Sequence, residues 1–225
     1  MNPTFLPTSF EFLKELKKNN YKEWFSEQRE RYEALRQNYL ALAQAMLLPM
    51  QDFDPTLGSL EAKNCVFRIN RDVRFSADKS PYKTYLGFGF APYNRKKELA
   101  TYYTHIECGL SFAGGGLYQP EPQIVKKIRQ EIDYHTEEFF AIVQNPEFVA
   151  TFGDLAREQG QYLKTQPKGY DKNHPALKYL QLKSFTAVRP FSDEEVLQAD
   201  FVEKSVAVMR TLQPLLQFLN RAILD

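Results

Sequence analysis

The feature that most constrains this chain is a change in the spacing of its apolar residues, from helical to alternating and back. From Trp24 to Met46 they recur at helical intervals. Trp24, Phe25, Gln28, Tyr32, Leu35, Tyr39, Leu42 and Met46 fall near one face of a single long helix. Between Cys65 and Ala113 the pattern alternates instead. Cys65, Phe67 and Ile69 oppose Val66, Arg68 and Asn70, and Leu86, Phe88 and Phe90 oppose Tyr85, Gly87 and Gly89. Tyr102, Thr104, Ile106 and Cys108 then oppose Thr101, Tyr103, His105 and Glu107, and Leu110 and Phe112 oppose Ser111 and Ala113. A period of two with one apolar and one mixed face predicts an antiparallel meander of about four or more strands. Helical spacing returns with Ile124, Ile128 and Ile132, and again with Phe201, Val208, Leu212, Leu215 and Leu219. Helices, a cluster of strands and helices again predict an α+β fold. A length of 225 residues with no linker or repeat suits a single domain over residues 1–225.

Boundary signals refine this outline. Thr8-Ser9-Phe10-Glu11 reads as a capping box opening a helix that runs to Lys18, and Asn20-Tyr21-Lys22-Glu23 as a second cap. Pro49 is expected to stop the long helix, leaving residues 49–62 as a loop. Pro120-Glu121-Pro122 opens a helix to about Tyr134, and Asn145-Pro146 pairs a cap with a first-turn proline. Residues 153–173 are polar and read as a long surface loop, and His174-Pro175 opens a short helix to about Leu182. Ser192-Asp193-Glu194-Glu195 is another capping box, and Pro214 falls inside the final helical pattern.

A net charge of +1 argues against a dedicated nucleic-acid or membrane-surface protein, whose domain is normally strongly basic. The distribution is less even than the sum. Residues 64–97 hold Arg68, Arg71, Arg74, Lys79, Lys83, Arg95, Lys96 and Lys97 against Asp72 and Asp78, so this window carries +6 and the rest of the chain −5. Cys65 and Cys108 lie in apolar, strand-like surroundings without metal-site or redox spacing, and read as reduced thiols. With no signal-peptide pattern and no apolar run long enough to span a bilayer, the expected location is the cytoplasm and no membrane partner is expected.

Three places are candidates for chemistry. The first is the mixed face of the meander, where Arg68, Asn70, Tyr103, His105, Glu107 and Ser111 are expected to project together around the recess left by Gly87 and Gly89. His105 with Glu107 is the acid/base candidate there, against a structural reading in which a helix covers the recess and Arg68 pairs with Glu107. The second is the loop after Asn70. Arg71, Arg74, Lys79 and Lys83 follow Arg68 at intervals of three to five residues, and guanidinium forks suit phosphates and carboxylates. The opposing reading has Asp72 and Asp78 neutralise these cations and fix the loop. The third is Gly114-Gly115-Gly116, whose spacing matches neither a Walker loop nor a dinucleotide fingerprint, so a tight exit from the sheet is favoured over a phosphate cradle. His105, His135 and His174 show no metal-ligand spacing, so no metal site is expected, and no motif specifies a cofactor.

These residues also carry a resemblance. Phe67 to Ser76 with Asp78 to Thr84, Tyr102 to Glu107 with Gly114 to Tyr118, Pro167 to Tyr170 with His174-Pro175, and Leu182 to Phe185 together resemble the domain of unknown function 2461 family, found mainly in bacteria. The likeness covers nearly the whole chain. Asn70 stands where family members commonly carry Tyr, and Cys108 where Pro is common. The resemblance implies an α+β single domain and associates the Arg68–Thr84 stretch, the His105/Glu107 strand and Lys183, without an established activity. The leading expectation is a cytosolic binding protein or enzyme for an anionic, phosphate-bearing small molecule. Arg68, Arg71, Arg74, Lys79 and Lys83 would contact the anion beside His105 and Glu107, with Tyr82 and Tyr118 as stacking or hydroxyl groups and Lys183 on the same surface. A nucleic-acid-associated module is the less favoured alternative. The third reading is a protein–protein interaction protein in which the cations are structural.

Overall fold

The computed structural model describes residues 3–92 and 98–224. Three of the eight cations in the basic window, Arg95, Lys96 and Lys97, therefore lie outside the described residues. The chain begins with α1 (Pro7–Lys18), α2 (Lys22–Glu27) and α3 (Arg29–Phe53), followed by a 3₁₀ turn at Pro55–Leu57 and the single turn α4 (Ala62–Cys65). Strands β1 (Leu86–Phe90), β2 (Thr101–Ile106) and β3 (Ser111–Leu117) come next, then α5 (Pro122–Tyr134), α6 (Thr136–Val143), α7 (Pro146–Phe152) and α8 (Leu177–Leu180). Strand β4 (Phe185–Phe191), α9 (Asp193–Leu197) and α10 (Phe201–Leu224) complete the chain. The strands form one antiparallel sheet in the order β1-β2-β3-β4, with helices before and after it in the chain, which is the expected α+β class. No described helix is long and apolar enough to cross a membrane.

The chain divides into two compact units. The first comprises residues 1–90, 103–113 and 190–207, the second residues 91–102, 114–189 and 208–225. In the first, α3 packs on β1 through Tyr39, whose ring lies 4.5 Å from that of Phe88. Phe12, Leu13 and Leu16 of α1 and Leu42 and Met46 of α3 are fully buried in this unit. The second unit is cored by Ile128 and Ile132 of α5 and by Phe139 of α6, whose ring meets Tyr179 at 4.9 Å and Phe218 at 5.4 Å.

Several local expectations are corrected. Helix α1 starts at Pro7 after Leu6 without a side-chain cap, so Thr8 and Ser9 lie inside its first turn. Asn20 caps nothing. Its amide instead bonds the backbone of Tyr82 twice, donating to the carbonyl at 2.9 Å and accepting from the N–H at 3.0 Å. Helix α3 runs through Pro49 to Phe53 rather than stopping there. The proline removes one helical hydrogen bond at a cost of about 3 kcal/mol. Met46, Leu47 and Met50 are buried on either side of it, and each contributes about 1.5–3 kcal/mol, which outweighs that loss. The stretch from Cys65 to Asn70 is not a continuous strand. It contacts its neighbours through single bridges, Val66 to Phe88 and Asn70 to Tyr82, and Phe67 donates to the Gly87 carbonyl at 3.0 Å. Finally, Gly114 to Gly116 lie in the body of β3 rather than in a loop. The caps at Asn145 and Ser192 form as expected, the second as a complete capping box.

Candidate functional site

Strand β2 alternates as its sequence predicts. Tyr102, Thr104 and Ile106 are buried, while Tyr103 and His105 emerge half-buried on the other face. A strand places residues i, i+2 and i+4 on one side, and here that geometry builds a hydrogen-bonded chain. The Tyr103 hydroxyl lies 3.1 Å from His105 Nδ1, and His105 Nε2 lies 3.1 Å from Glu107 Oε2. Since the carboxylate can only accept, Nε2 carries a proton, and in the neutral ring Nδ1 accepts from the Tyr103 hydroxyl. The imidazole is held between rings: Phe112 stacks on it at 5.0 Å and 7°, and Tyr85 lies 4.5 Å away. Lys17 of α1 reaches the other oxygen of Glu107 at 3.6 Å. Burial, reinforced by Tyr85 and Glu107, pushes the Tyr103 hydroxyl well above the usual tyrosine range, so it stays protonated at neutral pH.

Two details of this face differ from the sequence reading. Ser111 is buried, and its hydroxyl accepts from the Glu107 N–H at 3.1 Å and donates to the Glu107 carbonyl at 2.9 Å, so Phe112 is the β3 residue beside His105. The Gly87 position is not an open recess. A Cβ there would lie 2.7 Å from the Tyr103 hydroxyl and 2.9 Å from the Phe67 ring, so side chains of the same unit occupy the space. The Gly87 carbonyl also accepts from the buried Tyr39 hydroxyl.

The basic stretch forms a loop closed largely by its own charges. Ile69 and Arg71 pair through backbone hydrogen bonds with Lys83 and Pro81, at 2.7 and 2.9 Å. Inside the loop Arg71 donates to the Asp78 carboxylate, to the Ser80 carbonyl at 3.1 Å and to the Ser76 hydroxyl at 3.4 Å. Arg74 forms a forked pair with Asp72 at 2.6–3.2 Å. Lys79 donates to the Val73 carbonyl at 3.0 Å, and Lys83 to the Arg68 carbonyl at 2.9 Å. The Ser80 hydroxyl and amide, followed by Arg71, hold the Asp78 carboxyl down at about 2. Burial and then the neighbouring Arg68 push the Lys83 ammonium below its ordinary value. Of the five cations, Arg71 and Arg74 are neutralised by carboxylates. Arg68 is exposed and enters no ion pair among the described residues, and the hydrogen bonds that Lys79 and Lys83 make there go to carbonyls. Glu107 pairs with His105 and Lys17, not with Arg68.

Lys83 connects the loop to the sheet face. Its Nζ lies 5.5 Å over the Phe67 ring, and that ring lies 6.0 Å from Tyr103. The first unit thus carries a continuous run from Lys83, which donates to the Arg68 carbonyl, through Phe67 and Tyr103 to His105 and Glu107. Tyr82 is turned inward, 8% exposed and stacked on Phe25 at 4.0 Å. Tyr118 and Lys183 belong to the second unit. Tyr118 is 62% exposed, and its hydroxyl accepts from the Gln119 amide at 3.2 Å. Lys183 donates to the Gly160 carbonyl at 3.1 Å and lines a cleft of about 340 Å³ with Arg129 and Gln119. Tyr85, Phe112 and Lys17 joined the His105 surroundings without being anticipated. Alternation carried a signal for Tyr85 alone, and for Lys17 on a distant helix there was none. Among the described residues no group of three His, Cys, Asp or Glu is arranged to hold a metal ion.

Residues 8–218 of the 225 match the family described as Conserved hypothetical protein (DUF2461). The chain belongs to this family. The match takes in the basic loop, the β2 relay and Lys183, so all of the candidate site residues lie inside it. Comparison with curated proteins and with solved structures returns no match.

Proposed function

We propose that this DUF2461 protein binds an anionic, phosphate-bearing small molecule on the sheet face of its first unit. Arg68 and Lys83 would be the anion contacts, with His105 and Glu107 beside the ligand. The observation that carries the reading is the Tyr103–His105–Glu107 chain reached through Phe67 from Lys83, which with its neighbour Arg68 enters no ion pair among the described residues. Tyr103 and Glu107 engage the two ring nitrogens and hold the imidazole in one orientation and one tautomer, so His105 would sit beside the bound anion as part of a fixed hydrogen-bonded chain. Arg71, Arg74 and Lys79 shape the loop in this reading, with the first two neutralised internally.

A second reading, a nucleic-acid-associated module, draws support from Phe75. It is 96% exposed on the clamped loop with the Arg74 guanidinium 5.9 Å from its ring, an arrangement suited to stacking on a base.

The test is a thermal-shift screen of the purified chain against inorganic phosphate, sugar phosphates, carboxylates and short single-stranded DNA and RNA, since a ligand of the native state raises the melting temperature. The small-molecule reading expects a phosphate ester to stabilise the parent. That shift should vanish in Arg68→Ala and Lys83→Ala, whose own melting temperatures stay near the parent's, whereas Arg71→Ala lowers the melting temperature through the loop. Stabilisation by oligonucleotides alone, lost in Phe75→Ala and steeply salt-dependent, selects the second reading. No shift with any ligand overturns both.

A further inference from the structure

A cleft of about 660 Å³ opens elsewhere in the first unit, between the start of α3 and the paired segment at Asn70 and Tyr82. Its volume falls within the range of ordinary small-molecule sites, about 300–1,000 Å³. The lower wall is aromatic. Phe25 and Tyr82 stack at 4.0 Å, and the half-buried Tyr32 ring lies 4.9 Å from Phe25. Desolvation raises the Tyr32 hydroxyl above its ordinary range, so the ring is neutral at physiological pH.

The rim is charged. The Arg29 and Arg36 side chains are 65% and 56% exposed, and they share one acid, Glu33, at 2.8 and 3.7 Å. One carboxylate against two guanidiniums leaves one positive charge uncompensated, and the longer Arg36 contact leaves its fork free to bond a ligand. Arg29 occupies the first position of α3, where the helix dipole disfavours a cation. A residue set against its local preference is expected where a site requires it. The exposed Asn70 adds a neutral amide at the rim.

We propose that this cleft binds a small anion bearing a flat ring, either a nucleotide-like phosphate ester or an aromatic carboxylate. The ring lies against Tyr32 and the anionic group between Arg29 and Arg36. Flat rings gain contact area and a favourable offset geometry on an aromatic wall, and a planar guanidinium pairs with a carboxylate or phosphate through two parallel hydrogen bonds. This site does not depend on the sheet face around His105, and its lining shares no residue with the anion contacts proposed there.

The chain supplies its own reporter. Trp24 is the single tryptophan, and it lies in α2 next to Phe25 in sequence. The purified protein is titrated with adenosine monophosphate, 4-hydroxybenzoate, adenosine and inorganic phosphate, following Trp24 emission with calorimetry as a second readout. At least one ringed anion should bind saturably, and its identity separates the phosphate source from the carboxylate source. Adenosine and inorganic phosphate should each bind at least about tenfold more weakly, because each lacks half of the recognition. Arg36→Ala should weaken the ringed anion at least about tenfold, the loss of a charge-assisted contact, at an unchanged melting temperature. Arg68→Ala should leave this binding intact, so failure here is distinguishable from failure of the sheet-face reading. The proposal is overturned if neither ringed anion binds at millimolar concentration. It is also overturned if inorganic phosphate alone binds as tightly, or if Arg29→Ala and Arg36→Ala both keep the parent affinity.

Discussion

Arg71 directs its guanidinium into its own loop, onto Asp78, the Ser80 carbonyl and the Ser76 hydroxyl, while Arg68, three residues earlier, stays exposed and enters no ion pair among the described residues. Two arginines that read alike in sequence thus have opposite roles, one closing the loop and one facing outward. Asp78 makes the clamp testable through pH. Its carboxyl is held at about 2 in the fold against an ordinary 3.8, so the charged form is favoured by folding. The associated stability is fully present above about pH 4 and is lost as pH falls from there through about 2. Amide hydrogen exchange at Arg71 and Ser80, taken relative to the unstructured chain at the same pH because acid itself slows exchange there, should therefore become faster across that interval. Asp78→Asn should show the faster exchange already at neutral pH, with the α3 amides unchanged as the internal reference.

Elements add a constraint that side chains alone do not reveal. Gly114 and Gly116 in β3 face the β4 backbone. A Cβ at Gly114 would lie 2.1 Å from the Ala187 carbonyl oxygen, and one at Gly116, with φ at +122°, would lie 2.0 Å from that of Phe185. Neither carbonyl can move without parting the two strands, so Gly116→Ala should destabilise by about 4 kcal/mol or more, read as loss of soluble protein or a collapsed urea midpoint. In the second unit Arg221 of α10 ties α10 to α5 and α6 through Glu131 at 2.6 Å and Glu138 at 2.8 Å. The Glu131 side chain is only 15% exposed. Arg221→Ala strips a nearly buried carboxylate of its counter-charge and should cost about 1–2 kcal/mol in urea unfolding. Arg221→Lys should recover only part of this, because an ammonium can reach both acids but cannot reproduce the parallel guanidinium bonds to the Glu138 carboxylate.

At the scale of the whole molecule, the boundary between the two compact units does not follow a linker. It cuts through β2, β3, β4 and α10, each of which contributes residues to both units. Unfolding either unit must unravel elements that the other needs, so we expect one cooperative transition, in keeping with a single domain. Scanning calorimetry should return a calorimetric enthalpy equal to the van't Hoff value, and two resolved transitions would refute this.

The sequence by itself determined the class of the fold, the positions of β1 and β2 and the start of β3, the caps at Asn145 and Ser192, and the shared face of Tyr103, His105 and Glu107. These follow from periods of 3.6 and 2 and from capping chemistry, which are properties of one segment and its immediate neighbours. Tertiary structure alone decided where Asn20 bonds, that Tyr103 and Phe67 fill the space at Gly87, and that α3 continues through Pro49. It also decided that Gly114–Gly116 is strand, and that Lys17 rather than Arg68 meets Glu107. Each of these outcomes turns on a contact between segments distant in the chain, or on burial outweighing a local preference. Neither leaves a mark in the spacing of residues along a single stretch.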